Sequence, residues 1–470
     1  MKRLHLAALI ALAACEARGP GDGDADAERR GKARHDAATM AALAALALPN
    51  GPGTPSTPRP PPPLGGGLNL GFTTPRLFSP LIDWEPAIAV SRDGRFVVQA
   101  TTHYNDPNST AQPPVVMRIS WDCGTNWSQI LYVEDHGPWE ADPQVVIADD
   151  DTCFVLWIND FNPGMKIIKS TDHGQTWSAP VEVAPPSKPG RPPWNDKPWL
   201  AVAPGAQDVY VGFNSSDAYS VASHDGGATW QRPIKTNNDT RYWYHSGGCV
   251  APNGHVFFAT ADYRQTNLGP VNVGIVRSID KGKTWTNKRV DTSQEVSDCT
   301  WSSGCYQGFL GPAPSIACDQ NGTLCFAYTK NTVARTPLAT YIVTSTDDGK
   351  TWSPALRVSD PSNTPNCGFP QIAAGPFAGD FRLVYQDDRA GFGEWNTWYQ
   401  STSDGGLNWG GARRLSDGWP GVPYQSPIGY AFVFGDYFGF AVDGFGTCHV
   451  LWGEGASYDG PGGCWYSQGF

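Results

Sequence analysis

Indole rings and carboxylates recur side by side at regular intervals in this 470-residue chain. Trp84-Glu85, Trp139-Glu140-Ala-Asp142, Trp194-Asn-Asp196-Lys197 and Trp243-Tyr244-His245 start 55, 55 and 49 residues apart, and Asp436-Tyr437 stands near the C-terminus. A sugar presents apolar ring faces and a fringe of hydroxyls, which indoles interleaved with charged and amide groups can match. Further polar groups fall in the predicted loops between these sites: His103 and Asp106, Asn159 and Asp160, Asp262 and Arg264, and Asp387, Asp388 and Arg389. Two carboxyls at a suitable separation, or a tyrosine beside an acid, could also cleave a glycosidic bond. Tyr437, Glu85 and Glu454 are the first candidates for that role. For any one residue the competing explanation is structural: a Trp packed between elements, an Asp capping a strand.

What must position these groups is a repeat. Six octapeptides share a hydroxyl, an Asp, a Gly and a Trp: Ser120/Asp122/Gly124/Trp127, Ser170/Asp172/Gly174/Trp177, Ser223/Asp225/Gly227/Trp230, Ser278/Asp280/Gly282/Trp285, Ser345/Asp347/Gly349/Trp352 and Thr402/Asp404/Gly406/Trp409. Their Asp residues are 50, 53, 55, 67 and 57 apart. A hydroxyl and a carboxylate two residues apart can bond the amides of a tight turn, and the Gly permits positive φ there. Turn chemistry explains every fixed position, so these carboxylates are not read as catalytic acids or metal ligands. Seven hairpin turns, from Ser91-Arg-Asp-Gly-Arg95 to Asp443-Gly-Phe-Gly446, add strand pairs upstream. The strands after them are expected at 96–100, 154–158, 209–213, 256–260, 324–328, 381–386 and 449–452. One such four-stranded unit cannot bury both its faces alone, and stacking units radially solves that. The expectation is an all-β propeller of seven blades, with six as the alternative. Residues 68–73 would close the ring as the outer strand of the last blade.

Composition agrees. Glycine and proline (53 and 41) make up a fifth of the chain, which leaves little room for long helices, and 12% aromatic content demands a core. A net charge of −11 argues against a nucleic-acid partner. Lys2 and Arg3 precede an apolar run at 4–14 that is too short to span a bilayer and reads as a secretory signal. Residues 15–66, rich in Gly, Ala and Pro, read as a disordered tether, and 67–470 as the propeller. Beyond residue 66 stand 26 Lys and Arg against 39 Asp and Glu, a net of −13. Setting Cys15 aside leaves ten cysteines, an even number that suits disulfides in an exported chain. The candidate pairs are Cys318–Cys325, Cys299–Cys305 and Cys448–Cys464.

The octapeptides resemble BNR/Asp-box repeats, whose propellers include sialidases, and Leu12-Ala-Ala-Cys15 resembles the bacterial lipobox. The second resemblance implies cleavage before Cys15 and a lipid on it, and so a periplasmic or cell-surface protein held to a bacterial membrane by that anchor alone. The first implies Asp boxes on the face opposite the working mouth. A sialidase would also need three Arg for a carboxylate, an Asp acid/base and a Tyr paired with Glu. Where the first Arg is expected, this chain has Asp83-Trp-Glu85-Pro86. Arg191, Arg241, Arg264, Arg335 and Arg389 remain for an anion site built differently. The leading expectation is a monomer that binds a glycan or glycoconjugate at its mouth, without cofactor or metal. Its expected contacts are Trp84, Glu85, Trp139, Asp142, Trp194, Asp196, Lys197, Tyr244, His245, Arg264, Asp387, Arg389 and Asp436. A sialidase-like glycoside hydrolase and a protein-interaction scaffold are the alternatives.

Overall fold

The structure is a computed structural model. It describes residues 71–470 except 79–81, 105, 107, 112, 135–138, 161–163, 185–195, 216, 240, 264–269, 296–311, 362–365, 392–393, 418–437 and 456–461. The described residues form seven four-stranded antiparallel sheets. After the two-residue β1 (Arg76–Leu77), the first blade is β2 (Ile82–Val90), β3 (Val97–Tyr104), β4 (Val115–Ser120) and β5 (Leu131–Tyr132). The second holds β6 (Glu140–Ile147), β7 (Cys153–Asn159), β8 (Gly164–Ser170) and β9 (Val181–Glu182). The third holds β10 (Asp196–Val202), β11 (Val209–Ser215), β12 (Asp217–Ser223) and β13 (Ile234–Lys235). The fourth holds β14 (Tyr242–Val250), β15 (Val256–Tyr263), β16 (Val271–Ser278) and β17 (Thr286–Ser293). The fifth holds β18 (Ser315–Cys318), β19 (Leu324–Lys330), β20 (Ala339–Ser345) and β21 (Leu356–Arg357). The sixth holds β22 (Cys367–Ala374), β23 (Phe381–Asp387), β24 (Asn396–Thr402) and β25 (Arg413–Arg414). The seventh holds β26 (Gly439–Val442), β27 (Cys448–Gly455) and β28 (Gly462–Gly469).

The first strands of the blades touch one another in a closed ring, β2-β6-β10-β14-β18-β22-β26 and back to β2. The expected seven-bladed propeller is therefore present. It is closed from the N-terminal side by β1, which pairs with β28 as Arg76↔Tyr466 and Leu77↔Trp465. The closing strand among the described residues lies at 76–77; of the expected 68–73, Phe72 makes an isolated bridge to Gly469 and 68–70 lie outside the described residues. Two backbone bonds flank that bridge, from the Phe470 N–H to the Gly71 carbonyl and from the Thr73 N–H to the Gln468 carbonyl.

Each box is the turn the sequence implies. Ser170 Oγ donates to Asp172 (2.8 Å) and accepts the Gly174 amide (2.8 Å), while Asp172 accepts the Thr176 amide (2.9 Å) and hydroxyl (2.6 Å). The box Gly has a second duty, close approach to the preceding blade. A Cβ at Gly174 would sit 2.8 Å from Ile119 Cδ1, at Gly282 2.8 Å from Ala222 Cβ, and at Gly349 2.5 Å from Ile275 Cδ1.

Between blades the packing is apolar, as where Ala100, Val115 and Met117 meet Val155 and Trp157. The seam between the last blade and the first has fewer apolar groups: Ile88, Val97, Leu451, Cys464 and Tyr466.

Among the described residues the cysteines are free thiols. The register shows why two expected disulfides do not form. Cys318 lies opposite Leu324 and Cys325 opposite Ala317, one step apart on a strand pair whose neighbouring side chains face opposite ways. Cys448 pairs with Gly469 but Cys464 with Gly453, five residues along the ladder. Cys299 and Cys305 lie outside the described residues, as do Cys15 and the signal and tether segments.

Candidate functional site at the propeller mouth

Five inner strands carry the same irregularity just below the upper face. Register shifts fall at Trp84/Ala87, Ala141/Gln144, Asp196/Trp199, His245/Gly248 and Gly368/Gln371. In four of them the third residue of the bulge is proline: Pro86, Pro143, Pro198 and Pro370. Proline has no N–H for the ladder, so pairing breaks there. The residue before it turns to positive φ: Glu85 (53°), Asp142 (51°), Lys197 (46°) and Phe369 (52°). Positive φ is costly for a residue with a side chain, and a bulge of this kind re-aims that side chain.

On blades one to three the re-aimed groups are Glu85, Asp142 and Lys197, and they meet. Lys197 Nζ stands 3.4 Å from Asp142 and 3.8 Å from Glu85. Glu85 accepts the Thr102 hydroxyl (2.8 Å) and the Asp142 amide (3.1 Å). Burial pushes the Asp142 carboxyl up, but its polar surroundings, the Lys197 ammonium foremost, outweigh burial and leave it below its usual range. The three side chains are 13%, 5% and 25% exposed, so the group is sheltered yet open at Lys197. Four expected site residues, Glu85, Asp142, Asp196 and Lys197, are thus brought together.

The bulges also correct the alignment of the aromatic residues. Trp84 matches Ala141, Asp196 and His245, whereas Trp139 and Trp243 stand two places earlier. The equal 55-residue spacing from Trp84 to Trp139 therefore does not mark equivalent positions. Trp243 is buried and its indole N–H donates to Asp239 (2.6 Å), while Trp139 is half-buried. The Tyr244 hydroxyl donates to the Pro312 carbonyl (3.1 Å). His245 is fully buried between blades, with Nε2 3.1 Å from the Tyr219 carbonyl and its ring against Phe258, and burial lowers its pKa to about 4.

Other expected residues are held elsewhere. Arg389 donates to Asp387 (2.6 and 2.9 Å) and to the Tyr385 hydroxyl (2.8 Å), and lies 3.8 Å over the Trp398 ring. Burial pushes the Asp387 carboxyl up against that pairing. Glu454 is 1% exposed and accepts the Trp452 indole N–H (2.7 Å). Arg241 pairs with Asp262 (2.8 Å) and Arg335 with Glu295 (3.0 Å). Trp194, Arg191, Arg264, Asp436 and Tyr437 lie outside the described residues.

His103 and Asp106, expected in a loop, belong instead to a network with Asp83, Arg118 and Tyr132 that the sequence reading did not connect. Asp83 bonds His103 Nδ1, Asp106 lies 3.6 Å from His103 Nε2 and accepts the Tyr132 hydroxyl (2.6 Å), and Arg118 approaches Asp83 at 3.8 Å. All but Tyr132 are nearly inaccessible, and the network ties the four strands of blade one together, with Asp83 on β2, His103 on β3, Arg118 on β4 and Tyr132 on β5. The available signal was Gln99-x-Thr101-x-His103, polar groups alternating on a strand face that should be apolar. Among the described residues no group of three His, Cys, Asp or Glu is placed to hold a metal ion.

The BNR/Asp-box repeat model matches residues 168–179, which span the second box. No curated protein matches the sequence. Among solved structures, a family PL25 polysaccharide lyase, an ulvan lyase, matches with a TM-score of 0.51 at 12% identity, over 83% of this chain and 94% of that one. A Hadza microbial sialidase matches at 0.47 and 15% identity (76% and 73% covered), and the NanB sialidase from Streptococcus pneumoniae at 0.43 and 10% (82% and 68%). The ring of seven sheets, shared in fold with the lyase, makes this chain a seven-bladed β-propeller whose turns carry Asp boxes, the second of them matching the BNR/Asp-box repeat.

Proposed function

We propose that the chain is an exported lipoprotein, anchored through Cys15, whose propeller mouth binds a carbohydrate-containing ligand. The observation that carries this is the meeting of Glu85, Asp142 and Lys197 from three adjacent inner strands, each set by the same proline bulge. Backbone strain repeated at three positions has no packing purpose that glycine would not serve better, whereas it does aim charged groups into one place. Carboxylates and an ammonium held in fixed geometry suit a polyhydroxylated ligand, which needs both acceptors and donors. The ulvan lyase of shared fold is a polysaccharide lyase, described as bound to -[GlcA(1-4)Rha3S]-, which supports the ligand class. A glycan array probed with the full chain tests the reading. It should give a defined set of hits that Lys197→Met or Asp142→Asn weakens at least tenfold without lowering the melting temperature. An empty array, or hits indifferent to both substitutions, contradicts it.

One observation favours a second reading, catalysis. Glu85 and Asp142 are two carboxyls gathered around one ammonium, with Lys197 Nζ 3.8 and 3.4 Å away, and a general acid beside its base needs such a pair. In a glycoside hydrolase, Glu85 would then protonate the leaving oxygen. Release of sugar from an array hit, lost in Glu85→Gln while binding survives, distinguishes this from binding alone.

A further inference from the structure

Two cysteines meet across the seam between the fourth and fifth blades. Cys249 lies on β14 and Cys318 on β18, the first strands of those blades, which contact one another. Both strands run from the mouth toward the Asp-box face, and three contacts fix their offset. The Tyr244 hydroxyl donates to the Pro312 carbonyl and the Ser246 hydroxyl to the Pro314 carbonyl, 68 residues on in each case. A Cβ at Gly247 would stand 3.2 Å from Ser315 Cα, the same offset again. Each step along β14 is thus matched by one along β18, which puts Cys249 level with Ala317 and beside Cys318.

Strand pairing settles which way the two side chains point. Cys249 is opposite Phe257 and Cys318 opposite Leu324, and residues opposite one another on a ladder share a face. Phe257 and Leu324 belong to the apolar cluster that fills this seam, and both cysteines pack against it. Cys249 therefore faces blade five, and Cys318 faces blade four. Both are free thiols and both are half-buried. Sharing a seam is not enough for such a pairing. Cys325 and Cys367 line the seam between blades five and six, but Cys325 sits at the Asp-box end of β19 and Cys367 at the mouth end of β22.

We infer that Cys249 and Cys318 form a dithiol site, which oxidation closes into a disulfide stapling blade four to blade five. This is independent of what the mouth binds, and it involves neither of the two pairs whose register holds them apart. The oxidant is another disulfide, of low molecular weight or on a dithiol oxidoreductase. One thiol of the pair, as thiolate, attacks it to give a mixed disulfide, and the other then displaces the oxidant's remaining sulfur. The Cys249–Cys318 bond forms, the oxidant's S–S bond breaks, and two electrons and two protons pass from the pair to the oxidant's two thiols. Burial, with the charge of Cys318 adding to it, pushes the Cys249 thiol up, and burial with the Asp319 and Asp348 carboxylates pushes Cys318 up to about 12. Thiols of high pKa attack slowly at neutral pH and also leave slowly, so the bridge forms slowly and, once made, persists.

The test incubates the reduced full chain with oxidised glutathione at mildly alkaline pH and maps linked peptides by mass spectrometry. A peptide joining Cys249 to Cys318 within one chain should appear. The melting temperature should rise by about 5 °C, because the bridge closes the long loop between the two residues. Cys249→Ser and Cys318→Ser should each abolish the rise, whereas Cys325→Ser should keep both the link and the rise. The map of the parent chain needs no variant to fold. Absence of the joined peptide, its appearance only in covalent dimers, or a link without a rise in melting temperature overturns the inference.

Discussion

His245 shows how residue type and residue role part company. Its position beside Trp243 and Tyr244 suggested a ligand contact, but its ring is buried between the third and fourth blades, with Nδ1 lacking a hydrogen-bond partner. The folded state protonates it only near pH 4, while an unfolded chain does so near 6.5. Between those values the unfolded state binds more protons, so stability rises with pH across the window and is lost as pH falls through it. Box acids act lower. Hydrogen bonds from their own turns hold Asp172, Asp225 and Asp404 at about 2, so their contribution is present above the usual carboxylate range and lost only beneath it. Buried Asp262 and Asp387, raised by burial, oppose the histidine near the top of the carboxylate range. The parent should therefore melt lower at pH 5 than at pH 7.5, and His245→Gln, which keeps a donor toward the Tyr219 carbonyl, should shrink that drop. Equal drops in both would contradict the assignment. The sequence could not separate buried from presented here, because a register shift decides which face a side chain takes.

At the scale of elements, the turns were legible and the bulges were not. Ser, Asp, Gly and Trp at fixed offsets encode the box through local hydrogen bonds, and local chemistry survives in sequence. The strands that follow the hairpins also fell where alternation placed them, as β11 begins at Val209 and β19 at Leu324. The Glu85-Pro86, Asp142-Pro143 and Lys197-Pro198 pairs were visible too, but their meaning depends on three strands lying side by side. The box glycines carry a duty that local reasoning missed, contact with the preceding blade. Gly254 and Gly282 separate the two demands. Both have φ of +81°, but a Cβ at Gly254 meets nothing within 4 Å, whereas at Gly282 it strikes Ala222 and Tyr210. Gly254→Ala should cost about 1 kcal/mol from backbone strain alone. Gly282→Ala should cost about 2–4 kcal/mol, strain plus overpacking between blades. Urea unfolding of the two variants measures the difference, and equal costs would show that the contact between blades contributes nothing.

For the whole molecule, radial repetition decides both stability and function. Repeats of 50 to 67 residues made the propeller and its blade count readable, because each blade needs a neighbour to cover its face. Closure was readable only in outline: a missing outer strand was evident, but the two-residue β1 that fills the place is too short to leave a pattern. The disulfide expectation failed on the same ground, since compartment and parity say nothing of register. The ring gathers the ends of successive inner strands at one mouth, so Glu85, Asp142 and Lys197, more than 50 residues apart in sequence from one to the next, become neighbours. The most direct test is a crystal structure of the full chain with a sugar identified on the array. The account predicts sugar hydroxyls within hydrogen-bond distance of Lys197 Nζ and of the Glu85 or Asp142 carboxyl. A sugar bound against the Asp-box face, or a mouth left empty under saturating ligand, would contradict it.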